Sequence, residues 1–111
     1  MKELELTDLD IDQQLLALPG VSLLVFTSAG CSSCRWARQQ LPGWNLSVDR
    51  VCWIDAGHNG GAVARYGIFH LPALFVVCEG QFHGQLQTRL MAHDLDKAVN
   101  QALTRTAEEL P

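Results

Sequence analysis

The hydrophobic pattern along the chain changes period several times, and each change marks an element. Lys2–Leu6 alternates polar and apolar, which predicts a short strand. Asp10-Ile11-Asp12-Gln13 predicts a helix start, with Asp10 as cap and a glutamine three residues on. Ile11, Leu15, Leu16 and Leu18 supply its apolar stripe, and Pro19-Gly20 stops it. Val21–Thr27 is apolar almost throughout. A strand covered on one face alternates, so this run predicts a strand covered on both. Ser28-Ala29-Gly30 reads as a tight loop and Ser32–Leu41 as a helix ended by Pro42-Gly43.

A further strand is expected over Ser47–Ile54. A glycine-containing loop (Gly57, Gly60, Gly61) then leads into a short helix over Ala62–Tyr66. Ala73–Cys78 repeats the doubly buried strand pattern. Glu79-Gly80 fits a two-residue hairpin turn. After it, Gln81, His83, Gln85 and Gln87 alternate with Phe82, Gly84, Leu86 and Thr88, the mark of a strand with one wet face. Asp94 is placed to cap a last helix whose buried stripe is Leu95, Ala98, Val99, Ala102 and Leu103. The element order predicts an α/β fold, a mixed central β-sheet flanked by helices on both faces.

Length makes this one domain, residues 1–111. A composition 48% apolar and 18% charged excludes disorder as the main state. No apolar run approaches ~18 residues, so no membrane segment is expected. The net charge of −4 argues against nucleic acid as a partner. That charge comes from the start: residues 1–12 hold Glu3, Glu5, Asp8, Asp10 and Asp12 against Lys2. An export signal needs a basic start and an apolar centre, so a cytoplasmic location is expected. The acids read as a solvated strand and helix face, with an acidic docking surface as the alternative.

Four cysteines, Cys31, Cys34, Cys52 and Cys78, are too few for a disulfide scaffold beside so apolar a core. Cys52 and Cys78, isolated in strand patterns, read as small apolar residues. Cys31-Ser32-Ser33-Cys34 stands where a buried strand becomes a helix. The first turn of a helix carries unpaired N–H groups and a partial positive charge, which favour a thiolate by about 0.3–1 kcal/mol. At this spacing both sulfurs face one side of the helix. Cys31 can then attack a disulfide in another protein and Cys34 can resolve the mixed disulfide. Half a zinc site has the same spacing, and two incidental cysteines are a further alternative. His70-Leu71-Pro72 directly precedes the second buried strand, a position where proline is tolerated.

Leu23-Leu24-Val25-Phe26 before Cys31-Ser32-Ser33-Cys34-Arg35, then Tyr66-Gly67-Ile68-Phe69-His70-Leu71-Pro72-Ala73-Leu74-Phe75, then Glu79-Gly80, resemble the thioredoxin family. The resemblance implies a thioredoxin-like fold and a protein disulfide oxidoreductase that needs no cofactor. It implies Cys31 as nucleophile, Cys34 as resolving thiol and Pro72 as a cis-proline facing the pair. Leu71 presents its backbone to a bound peptide, and Gly30, His70 and Met91 line the substrate groove. The implied partners are a protein disulfide substrate and a reductant such as a thioredoxin reductase or another dithiol. The chain departs from the family pattern. Gly-Pro between the cysteines is replaced by Ser32-Ser33, and the preceding Trp by Gly30. A buried Asp is replaced by Val25, its Lys partner by Trp53, a helix proline by Gln39 and a groove glycine by Met91. These departures imply a selective client. The runner-up is a thioredoxin-like binding or assembly module with little redox turnover. A glutaredoxin-like enzyme is disfavoured, because His70-Leu71-Pro72 and Arg89–Asp94 do not match that group's glutathione segments.

Overall fold

A computed structural model describes residues 1–111. The elements are β1 (Lys2–Leu6), α1 (Ile11–Ala17), β2 (Val21–Thr27), α2 (Ser32–Gln40), a 3-10 turn (Leu41–Gly43), β3 (Arg50–Asp55), α3 (Gly60–Tyr66), β4 (Ala73–Cys78), β5 (Gln81–Leu86) and α4 (Ala92–Ala102). The five strands form one mixed sheet in the order β1-β3-β2-β4-β5. β1, β3 and β2 run parallel; β4 is antiparallel to β2 and β5 to β4.

β2 is central, and its side chains alternate between two apolar layers. Leu24 and Phe26 join Ile11, Leu15, Ile54, Tyr66 and Phe75 on one face. Leu23 and Val25 join Trp53, Leu74, Leu95 and Val99 on the other. α1 and α3 contribute to the first layer, α4 to the second, so a sheet with helices on both faces is what these residues build. No helix is long and apolar enough to cross a membrane.

Four local expectations change. Leu16 is exposed, because the two-turn α1 reaches the sheet only through Ile11 and Leu15, four apart on one face. Asp10 occupies the cap position of α1 without a side-chain bond into the helix; its Oδ1 accepts instead from Thr7 N at 2.8 Å. Asp94 lies inside the first turn of α4, whose cap position is Met91 in extended conformation. β3 also begins later than Ser47. Ser47 N donates to Asp96 Oδ1 at 2.6 Å, on α4, and so leaves the sheet ladder.

The turn at Glu79-Gly80 has positive φ at both residues (51° and 75°), as a two-residue hairpin requires. A bulge between Val76 and Val77 shifts the β4–β5 register. α3 ends at Gly67, whose φ of 63° is the left-handed cap that turns the chain toward the His70–Pro72 loop.

The N-terminal acids are neither a bare solvated face nor a free docking surface. Glu3 Oε1 accepts from the Trp53 indole at 2.8 Å, Glu5 pairs with Arg38, and Asp12 pairs with Arg65 at 2.6 Å. Asp8 caps α3: its carboxylate oxygens accept from Ala62 N at 2.7 Å and Gly61 N at 3.1 Å.

Candidate active site

β2 delivers the chain to Ser28, whose carbonyl accepts from Cys31 N at 3.3 Å and closes the tight loop. Cys31 is the N-cap of α2. Its carbonyl takes the first helical bond, from Arg35 N, and its sulfur accepts from Cys34 N at 3.2 Å. The sulfur thus does what a capping Ser or Asp oxygen does elsewhere, and the same N–H that caps the helix stabilises negative charge on sulfur. Ser33 Oγ adds a contact at 3.3 Å. Cys31 is half-buried and Cys34 is 1% exposed. The two are joined as a disulfide with Cα atoms 5.2 Å apart. A pair with one accessible and one buried sulfur can accept attack at one end and resolve from the other.

The Leu71–Pro72 peptide is cis, and the Leu71 carbonyl oxygen stands 3.8 Å from Cys31 Sγ. An adjoining groove of about 510 Å³ runs between this loop and the end of β5. Ser33, His70, Pro72, Gln85, Gln87 and Leu90 are among its walls. The structure therefore gathers Cys31, Cys34, His70, Leu71 and Pro72. Gly30 is exposed directly before Cys31, with open space where a side chain would stand. Met91 is half exposed at the cap of α4, while Leu90 beside it lines the groove. His70 lines the groove without a hydrogen bond to either cysteine.

Ser33, Gln85, Gln87 and Leu90 were not among the sequence candidates. The polar alternation over Gln81–Thr88 is the only sequence signal for the two glutamines, and Gln87 lies just past the end of β5. Val25 and Trp53 are both buried in the apolar layer shared with Leu74, Leu95 and Val99. Trp36 and Trp44 pack edge to face at 5.8 Å, and Trp36 is 41% exposed.

On its polar side Cys34 lines a cleft of about 430 Å³, with Glu5, Thr27, Arg35, Arg38 and Asp55 around it. Arg35 donates to the Ala29 carbonyl at 2.6 Å. Arg38 donates through Nε to Thr27 Oγ1 at 3.1 Å, pairs with Glu5, and lies 4.7 Å from the Trp53 ring centroid. Asp55 accepts from His58 Nδ1 at 2.8 Å and from Gly57 N at 2.9 Å, and the His58 bond leads in holding its carboxyl below the usual range. The remaining cysteines differ from this pair. Cys52 is fully buried and burial pushes its thiol up to about 11; Cys78 is half-buried and its thiol is also raised, chiefly by burial. No cluster of three or more His, Cys, Asp or Glu side chains stands ready to hold a metal ion.

No protein-family model matches the chain, and no curated protein sequence does. Solved structures do. Thioredoxin from Trichomonas vaginalis superposes with a TM-score of 0.56 at 25% identity, over 68% of this chain and 70% of that one. Human ERp44 in its zinc-bound form superposes with a TM-score of 0.64 at 13% identity, over 92% of this chain and 30% of that one, a likeness of fold alone. Both likenesses agree with the mixed sheet described above: the chain has a thioredoxin-like fold and carries a Cys-Ser-Ser-Cys pair at the start of α2.

Proposed function

We propose that this chain is a thiol–disulfide oxidoreductase that reduces disulfides in a selective protein client of the cytoplasm. One observation carries the reading: Cys31 caps α2 through its own sulfur, half-buried, while Cys34 is buried behind it within bonding distance. The Cys31 thiolate attacks the client disulfide and displaces one client thiolate. The Cys34 thiolate then attacks Cys31 Sγ, forms the Cys31–Cys34 bond and releases the second client thiol. Two electrons have passed to the client, and an external dithiol, such as a thioredoxin reductase, restores the pair.

Selectivity is supported by the surroundings. The groove beside Pro72 sets the amide and hydroxyl groups of Ser33, Gln85, Gln87 and Thr88 beside apolar Leu74 and Leu90, and the sheet holds apolar Val25 and Trp53. The test is reduction of insulin with thioredoxin reductase or dithiothreitol as electron source. Turnover is expected, slower than that of an ordinary thioredoxin, and lost in Cys31→Ser. Failure of the reduced pair to form its disulfide on oxidation overturns the enzymatic reading; turnover equal to an ordinary thioredoxin overturns the selectivity. The second reading, a binding or assembly module, draws on the apolar Val25 and Trp53. It predicts that Cys31→Ser keeps its biological effect.

A further inference from the structure

Resolution requires Cys34 to lose a proton, and its sulfur is poorly placed for that. It is 1% exposed, and burial disfavours a thiolate. The sheet positions Val25 and Trp53 are apolar and buried and offer no acceptor. The cleft is the polar opening that reaches Cys34, so a proton leaving this sulfur meets the groups around it.

Those groups sort by chemistry. Arg35 and Arg38 carry no acceptor, Thr27 Oγ1 already accepts from Arg38, and the Thr27 and Ser28 hydroxyls are far weaker bases than a carboxylate, which leaves Glu5 and Asp55. Both oxygens of Asp55 are engaged, one by Gly57 N and one by His58, and the same bonds make it the weaker base. Glu5 is engaged through Oε1 alone, by Arg38, and its second oxygen is uncommitted. Its side chain is 61% exposed, so a proton taken there passes on to bulk water. Glu5 also stands apart from the other N-terminal acids. Glu3 holds the Trp53 indole, Asp8 the start of α3, Asp10 the Thr7 amide and Asp12 the Arg65 guanidinium. Glu5 alone of the five lines the cleft.

We propose that Glu5 is the base that removes the Cys34 proton during resolution, acting through solvent in the cleft, with Arg38 as the positioning residue that fixes its carboxylate. The inference rests on the oxidoreductase reading above. The Cys34 S–H proton moves to the Glu5 carboxylate as Cys34 attacks Cys31 Sγ. The bond between Cys31 and the client sulfur breaks, and that sulfur leaves with the electron pair. Glu5 then returns its proton to bulk water.

The test uses the small aromatic disulfide 5,5′-dithiobis(2-nitrobenzoate), which needs no client groove. Reduced protein releases one coloured thiolate when Cys31 attacks and a second when Cys34 resolves; the resolving phase is independent of reagent concentration, which sets it apart from the slower reaction of Cys78, so stopped-flow absorbance separates the steps. Glu5→Gln keeps an oxygen for Arg38 and removes the base. The first phase is expected to be unchanged and the second slowed by about tenfold or more. A thiol attacking with an ionised carboxylate as base has a second-phase rate nearly flat from about pH 5.5 to 7.5, whereas attack by free thiolate climbs about tenfold per pH unit. The native protein should show the flat profile and Glu5→Gln the climbing one, with Glu5→Asp between them and Asp55→Asn native-like. A second phase in Glu5→Gln with native rate and native pH slope overturns the assignment to Glu5. Absence of any second phase in the native protein overturns the oxidoreductase reading itself.

Discussion

Removing the Asp8 carboxylate should destabilise the protein more than removing any other N-terminal acid, although Asp8 lies on the surface. α3 carries no cap of its own: Asn59, at the cap position, makes no capping bond to it. Instead the Asn59 side chain is buried, accepting from Asp8 N at 2.9 Å and donating to the Asp55 carbonyl at 2.9 Å. The free amides of Gly61 and Ala62 are taken by Asp8, more than fifty residues earlier in the chain. Loss of an N-cap typically costs about 1 kcal/mol and up to about 2. Two amides depend on this one carboxylate, so Asp8→Ala should lose about 1–2 kcal/mol. For a domain of this size that lowers the melting temperature by about 4–8 °C. Asp8→Asn, which keeps one acceptor oxygen, should lose less. The reference is Asp12→Ala, which breaks a half-exposed ion pair with Arg65 and should shift stability by only ~0.5 kcal/mol. Thermal and urea unfolding of the oxidised protein, followed by circular dichroism, measures both. If Asp8→Ala proves no more destabilising than Asp12→Ala, the capping account of the N-terminal segment is wrong.

In the reduced protein, iodoacetamide at neutral pH should modify Cys31 first and Cys78 more slowly, leaving Cys34 and Cys52 untouched until denaturant is added; peptide mass spectrometry reads the order. Cys34→Ser should accumulate a mixed disulfide with client or insulin on non-reducing gels, and Cys31→Ser should not. Burial raises the Cys52 thiol from 9.0 to about 11 and the Tyr66 phenol from 10.0 to about 12. Both are raised in the fold, so their contribution to stability is intact below about pH 9 and is lost as the pH climbs through about 11 to 12. Melting temperature should fall across that window, less steeply in Cys52→Ala, and an equal fall in that variant refutes the Cys52 share.

The elements legible in the sequence are those whose signal is local. β2 and β4 are apolar on both faces because both lie inside the sheet, and their bounds follow directly from the apolar runs. The hairpin turn announces itself as Glu79-Gly80 through the backbone it needs. Where the deciding partner is distant, the local signal misleads. Asp10 and Asp94 have the residue type of a cap, yet Asp10 is turned back to Thr7 and Asp94 sits inside its helix. The residue that does cap α3 lies beyond α1 and β2, and no window along the chain contains both partners.

The site divides in the same way. Cys31, Cys34 and the His70–Pro72 loop were visible because their chemistry is written in adjacent letters. The cleft behind Cys34 was not, because it is assembled from β1, the end of β2, α2 and the end of β3. Its formation nonetheless depends on positions that stood out as departures. Val25 and Trp53 lie in the apolar layer, and Trp53 offers its ring to Arg38 and its indole N–H to Glu3. That ring and Thr27 orient Arg38, and Arg38 draws Glu5 to the cleft. The acidic first strand and the apolar interior are therefore parts of one arrangement: with Val25 and Trp53 uncharged, the carboxylate that reaches the cleft from β1 comes from the sheet edge, where it stays largely solvated and its desolvation penalty is small.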